Sequence, residues 1–194
     1  MSARVATVAT PCGPFTVMAI GDTVVASGWA ADGALVVGWM APAARPDAWT
    51  VEAGLGPITD AVHAYFDGDL GAIDAVAVRQ QSGPFVESAW DALRALPPGI
   101  SVTYRDLAAR CGRAGAARAA GSACQRNAAA LFVPCHRVVR RDGSLGGFRW
   151  GLAVKQWLLD YEARTHGGSD GKLAGHGVIG AEAAVDDVLD REHP

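Results

Sequence analysis

From Val5 to Met40, short apolar runs alternate with glycine and proline punctuation at Pro11-Cys12-Gly13-Pro14, Gly21-Asp22 and Asp32-Gly33. Runs of that length between turn formers predict strands joined by tight turns, and so a small antiparallel sheet. Pro42 to Pro46 reads as a loop. The apolar period then lengthens, and Ile58 to Phe66 predicts a helix closed by Asp67-Gly68-Asp69.

A stronger helix opens at Ser82-Gly83-Pro84, with Phe85, Ala89, Trp90, Leu93 and Leu96 on one face and a stop at Pro97-Pro98-Gly99. Its apolar face needs a partner in the residues C-terminal to it, which places a domain boundary near residue 80. Thr103-Tyr104-Arg105-Asp106 fits a variant capping box, in which the threonine caps and the acid three places on reaches back to its amide. That helix should run to Cys111 and stop at Gly112, and a further helix should span Ala116 to Arg126. Helix, short glycine-containing turn and helix is the pattern of a helix-turn-helix. The second helix reads Ala116-Ala117-Arg118-Ala119-Ala120-Gly121-Ser122-Ala123, almost without bulk. Its backbone can come close to a partner surface; tight packing in a core is the other use of such a face.

Leu131-Phe132-Val133 leads into Pro134-Cys135-His136-Arg137, followed by a turn at Asp142-Gly143 and a Gly146-Gly147 pair. A last helix is expected from Leu152 to near Glu162, with Leu152, Trp157 and Leu158 available for burial. After Ala163 the run Gly167-Gly168-Ser169-Asp170-Gly171 reads as a linker, and Ala181 to Leu189 as a marginal acidic helix or no fixed structure. The fold expected is α+β: a small antiparallel-sheet N-terminal domain (1–80) packed on a mainly helical domain with a helix-turn-helix (81–165), then a tail (166–194).

A chain of 194 residues, half of them apolar, can bury one ordinary core or two small ones. No secretory signal pattern or membrane-length apolar stretch is found, so a soluble, cytoplasmic protein is expected. Net charge is −3, which taken alone argues against a nucleic-acid partner. The distribution argues the other way. Gly99 to Trp157 holds ten Lys and Arg against two acids, Asp106 and Asp142, while the remainder holds seven basic and eighteen acidic residues. A basic segment on an acidic body is the footprint of a surface that meets phosphates.

Cys12, Cys111, Cys124 and Cys135 have no paired spacing, so neither a zinc ribbon nor a disulfide framework is suggested, and no metal or cofactor is expected. The first three read as small buried hydrophobes. Cys135 differs because His136 is adjacent, Arg137 is next, and Arg140 and Arg141 add positive charge. A cysteine attacks as its thiolate and needs a base or a favourable field to form it. On a strand, neighbouring side chains face opposite ways, so direct contact of Cys135 with His136 requires a turn after Pro134 or a bridging water.

The run Pro134-Cys135-His136-Arg137-Val138-Val139 resembles the active-site signature of the O6-alkylguanine-DNA alkyltransferases. The likeness continues through Pro98-Gly99, Thr103-Tyr104, Ala116-Ala117-Arg118-Ala119, Asn127, Asp142-Gly143, Gly147-Phe148-Arg149-Trp150-Gly151, Lys155 and Leu158-Leu159. It is close over residues 84 to 162, and strongest to the alkyltransferase half of the bacterial adaptive-response protein. The resemblance implies that Cys135 takes an alkyl group from O6-alkylguanine, and from O4-alkylthymine, in duplex DNA, irreversibly and once per molecule. It further implies that His136 deprotonates Cys135 through a water, that Glu162 holds His136, and that Asn127 braces the turn. Tyr104, Ala116, Ala117, Arg118, Gly121 and Arg141 would meet DNA along its minor groove. Tyr104 would contact the flipped base and Arg118 would fill the vacated place. Pro134, Val138, Phe148, Arg149 and Trp150 would shape the base pocket, with base recognition from backbone near Val138 and Arg149. A monomer is expected. The alternative is a lesion-binding protein that recruits other repair factors without transferring anything; the presence of Cys135, His136 and Glu162 together favours transfer. Phe148 stands where the family often has an aromatic hydroxyl, and Trp150 where some relatives have glycine, which should narrow the pocket.

Overall fold

The computed structural model describes residues 2–167. The residues read as a linker from 168 onward and as an acidic helix over Ala181 to Leu189 lie outside them. Strands β1 (Ala3–Thr10), β2 (Gly13–Ile20) and β3 (Thr23–Gly28) form the expected antiparallel meander, turning at Pro11-Cys12 and Gly21-Asp22. Two edges extend it. β4 (Trp49–Val51) pairs parallel with β1, and β5 (Ala77–Val78) pairs parallel with β3, giving the order β4-β1-β2-β3-β5. The sheet is therefore mixed rather than antiparallel, because the chain returns to both edges through helical crossovers that local pattern does not display.

Asp32-Gly33 is not a turn between strands. The Asp32 carboxylate accepts the Leu35 N–H at 3.1 Å and caps α1 (Gly33–Gly38), so the run toward Met40 is helical where a strand was expected. Pro42–Ala44 forms one 3-10 turn in the predicted loop. α2 (Pro57–Phe66) comes next, as anticipated, and buries Ile58, Ala61, Val62 and Tyr65.

α3 (Pro84–Arg94) buries Ala89, Trp90 and Leu93 of the predicted apolar face, with Leu96 just beyond its end; Phe85 is half-buried and Val86 is buried in addition. The capping box is formed as read: Thr103 accepts from Asp106 N–H and Asp106 accepts from Thr103 N–H, both at 3.1 Å, at the start of α4 (Tyr104–Arg110). α5 (Ala117–Arg126) completes the helical pair, and Trp90 Nε1 donates to the Ala123 carbonyl at 3.0 Å to fix it on α3. One apolar cluster runs from Phe15, Val17, Ile58 and Tyr65 into Trp90, Leu93, Leu107 and Leu131, so the sheet and the helical part share a core.

α6 (Leu152–Gly167) outlasts the expectation, taking in Ala163 and the start of the expected tail at His166 and of the expected linker at Gly167. It buries Lys155, Leu158 and Glu162, whereas Leu152, expected inside, is 50 % exposed. Spacings of three and four put those three on one helical stripe. Among the described residues no helix is long and apolar enough to cross a membrane.

Candidate active site

Two short pairings bring the segment that carries Cys135 into place. Ser27 of β3 grips the chain after α5: its N–H donates to Ala128 O at 2.8 Å, its carbonyl accepts Ala130 N–H at 3.1 Å, and its hydroxyl donates to Ala130 O at 2.8 Å. β6 (Val102–Thr103) pairs parallel with β7 (Val138–Val139), tying the start of α4 to the far side of the turn. Between these anchors Leu131 adopts φ 71°, a left-handed conformation that costs a branched residue about 1–3 kcal/mol and is held here by burial. Cys135–Arg137 then forms a 3-10 turn. The strand geometry that would have set Cys135 and His136 on opposite faces does not arise.

Behind the turn, His136, Arg137 and Glu162 are fully buried. Arg137 donates from Nε to Glu162 Oε2 at 2.9 Å and from Nη2 to Oε1 at 2.8 Å, and from Nη1 to the Leu96 carbonyl at 2.5 Å. The charge expected to act on Cys135 is thus paired with Glu162. The same carboxylate accepts from Tyr65 Oη at 2.7 Å, Gly99 N–H at 3.0 Å and His136 Nε2 at 2.9 Å. Burial alone would raise the Glu162 carboxyl, but its His136 and Arg137 partners hold it well below the usual carboxylate range. Burial pushes His136 below an ordinary histidine, against the pull of Glu162. An ionised carboxylate only accepts, so His136 carries its proton on Nε2 and leaves a lone pair on Nδ1. That buried Nδ1 has no hydrogen-bond partner.

In front of the turn, a cleft of about 750 Å³ is lined by Tyr104, Arg118, Gly121, Ser122, Cys124, Gln125, Asn127, Cys135, Gly147, Phe148, Arg149 and Trp150. Cys135 lies half-buried in it, and desolvation pushes its thiol up despite a 3.2 Å hydrogen bond from Asn127 Nδ2 and the cations of Lys155 and Arg149. Gly146, at φ 67°, lies so close to Tyr104 that a Cβ there would stand 2.8 Å from the phenol oxygen. Trp150 rests on bare backbone, since a Cβ on Gly28 would overlap its ring at 1.8 Å. Trp39 meets Trp150 edge-on at 4.2 Å between centroids, and Arg149 lies over the Trp39 ring at 5.2 Å while donating to the Gln125 carbonyl.

Of the residues singled out in the sequence, the cleft gathers Cys135, Asn127, Tyr104, Arg118, Gly121, Phe148, Arg149 and Trp150. Ala116 and Ala117 stand beside it at the start of α5, and Arg141 is exposed on a separate patch with Arg140. Pro134 and Val138 are buried behind the lining, and the Val138 carbonyl already accepts from Lys155 Nζ at 2.6 Å. Lys155 also donates to the carbonyls of Leu145 and Gly147, bracing the loop that carries Phe148 to Trp150. Its role was not read from the sequence; its signal was a lysine on the stripe of Leu158 and Glu162. With Arg137 and Lys155 buried, the basic segment shows fewer of its charges to solvent than its composition suggests. Cys12, Cys111 and Cys124 are free and half-buried rather than buried, and Cys124 shares the cleft. Among the described residues no group of three or more His, Cys, Asp or Glu could hold a metal.

A family model for the DNA binding domain of 6-O-methylguanine DNA methyltransferase matches residues 84–164. The methylated-DNA–protein-cysteine methyltransferase of Salmonella typhimurium is 44% identical over 107 residues, 55% of this chain; the match spans 63% of that protein's length. The regulatory protein Ada of the same organism is 50% identical over 84 residues, covering 43% of this chain and 24% of Ada. The methylated-DNA–protein-cysteine methyltransferase of Methanosarcina acetivorans is 38% identical over 118 residues, covering 60% of this chain and 75% of that one. Among solved structures, Mycobacterium tuberculosis OGT in complex with DNA superposes with a TM-score of 0.70 at 28% identity, over 84% of this chain and 94% of that one. The chain belongs to the methylated-DNA–protein-cysteine methyltransferase family.

Proposed function

We propose that this protein repairs duplex DNA by taking the methyl or other alkyl group from O6 of guanine, and from O4 of thymine, onto its own Cys135. As the thiol gives up its proton, Sγ attacks the alkyl carbon in line, the S–C bond forms as the C–O bond breaks, and the departing base takes up one proton in place of the alkyl group, so that the thiol's proton is balanced by the one the base gains. Nothing then cleaves the thioether, so each molecule acts once. The observation that carries this reading is the pairing of a thiol at a cleft with a neutral, partnerless His136 Nδ1 on the same turn. One water between them would satisfy Nδ1 and carry the thiol proton to it, with Glu162 orienting the ring. The thiol, raised by burial, stays protonated at rest and is activated on demand.

A stacked guanine cannot bring its O6 into such a cleft, so the nucleotide must leave the duplex at a cost of about a few kcal/mol. Arg118, exposed on α5 at the rim, is the side chain to fill the gap, and Tyr104 faces the incoming base. The small residues Ala116, Ala117 and Gly121 suit close approach to the minor groove, with Arg141 on a nearby phosphate. Phe148, Arg149 and Trp150 form the base-facing wall, while Pro134 and Val138 support it from behind. Residues 81–165 meet DNA and residues 1–80 brace them. The protein acts as a monomer without cofactor, and a DNA substrate with a thiol that must stay reduced supports a cytoplasmic location.

Incubation with duplex DNA bearing O6-methylguanine should add one methyl mass to the Cys135 peptide, one per molecule. Cys135→Ala should still bind the lesion and transfer nothing. Binding without modification of Cys135 would replace this reading with that of a non-catalytic lesion binder, and repeated turnover would overturn it.

A further inference from the structure

We infer that Gln80, at the exit of the sheet, is a positioning residue for the alkyl transfer: together with the Ala129 N–H and the Val133 carbonyl it holds the side-chain amide of Asn127 so that its N–H₂ faces the Cys135 thiol. Gln80 lies just past β5, where Arg79 N–H still donates to Val24 O at 2.9 Å. Its Oε1 accepts the Ala128 N–H at 2.7 Å and its Nε2 donates to Asn127 Oδ1 at 2.9 Å. Backbone groups settle each orientation. Ala128 N–H can only donate, so Gln80 must present its oxygen there and its nitrogen to Asn127. Asn127 Oδ1 takes a second donor from Ala129 N–H at 3.1 Å, while Nδ2 donates to the Val133 carbonyl at 2.8 Å and to Cys135 Sγ at 3.2 Å.

A hydrogen bond aimed at sulfur favours the thiolate, and an amide turned end for end would present an oxygen and disfavour it. Around Sγ stand Lys155 of α6, Arg149 of the loop before it, Tyr104 of α4, Cys124 of α5 and neighbouring His136. The cations Lys155 and Arg149 have their donors engaged by backbone carbonyls, and Asn127 is the side chain that hydrogen-bonds the sulfur. Gln80 therefore couples residues of the N-terminal sheet to the ionisation of Cys135. Its outer side opens on a cleft of about 280 Å³ shared with Arg79, Trp90 and Arg126, leaving room for substitution.

The inference rests on the alkyl-transfer reading, but the thiol itself gives a readout independent of DNA. The rate of Cys135 carbamidomethylation by iodoacetamide, read on the Cys135 peptide across pH, should shift to higher pH in Gln80→Leu, with about three- to tenfold slower reaction at fixed pH below the midpoint. Gln80→Glu keeps the acceptor for Ala128, loses the donor to Asn127 and should shift the profile further. In an Asn127→Ala background both effects should vanish, because Gln80 acts through that amide. Methyl transfer from O6-methylguanine DNA should slow in parallel. Unshifted thiol profiles in both folded variants, or undiminished shifts without Asn127, would overturn the inference. If the parent protein does not transfer methyl, the proposed function fails while the thiol profiles still decide this point.

Discussion

On the inner side of the Cys135–Arg137 turn, Glu162 accepts from His136, Arg137, Tyr65 and Gly99; on the outer side, Cys135 Sγ takes one hydrogen bond, from Asn127. The inner cluster is charged, buried and nearly saturated, and it fixes the ring of His136. The outer group is neutral at rest, open to a cleft and sparsely held. A reactive atom needs a free trajectory, so its precision must come from the groups behind it. His136 belongs to both sides: Nε2 is bound into the inner cluster and Nδ1 is the one unsatisfied buried side-chain atom among the described residues.

If this contrast is right, the largest loss should come from breaking the inner side. Glu162→Ala leaves the Arg137 cation buried without its counter-ion and should cost about 3–5 kcal/mol of stability, measured by urea unfolding. Asn127→Ala removes neutral amide contacts and should cost about 1–3 kcal/mol. Equal losses from the two would erase the distinction between a structural and a reactive face.

The same contrast explains what could be read in advance. The Thr103–Asp106 capping box, the apolar face of α3 and the break at Pro97-Pro98-Gly99 were legible because each is decided within a few residues. Asp32 is a local signal too, but a cap before Gly33 looks the same as a turn until the helix is seen. Leu152 was expected inside from its type, yet the buried stripe of α6 passes through Lys155 and Glu162, whose partners lie elsewhere in the chain. Resemblance supplied Cys135, His136, Asn127 and Glu162 as a set. It did not supply Tyr65, Gln80 or Ser27, which reach the site from the first eighty residues across 97, 47 and 103 residues of separation. No periodicity encodes such contacts. Arg137 was misjudged for the same reason: its charge is beside Cys135 in sequence and committed to Glu162 in space.

A smaller effect should appear on acidification, and its upper part, above the carboxylate range, should come from the inner side. His136 is held neutral, its folded pKa below the ordinary 6.5, so as pH falls below 6.5 the unfolded chain takes a proton that the folded chain refuses. Stability from this group is present above 6.5 and is lost by up to about 1.4 kcal/mol per pH unit on the way down to the folded value. Glu162, held below its ordinary 4.5, adds a second loss below that pH. His136→Asn should flatten the upper part of the decline in urea midpoints and leave the lower part. A parent protein equally stable at pH 7 and pH 5 would show that His136 is not buried in its neutral form.

The smallest effect tests how far saturation reaches. Tyr65 sends its hydroxyl from α2 to Glu162 Oε1 at 2.7 Å, and burial beside that carboxylate pushes the phenol well above its usual range, so it remains a donor at every working pH. Tyr65→Phe removes one donor of several and keeps the ring that packs against Phe66 and Tyr161. The carboxylate retains Arg137, His136 and Gly99, so the loss should be about 1 kcal/mol by urea unfolding. The pH profile of Cys135 carbamidomethylation should not move, since Glu162 still orients His136 and the Asn127 hydrogen bond to the sulfur is untouched. A shifted profile would mean that the two faces of the turn communicate through Glu162 and His136, and that the thiol is tuned from the inner cluster as well as by Asn127.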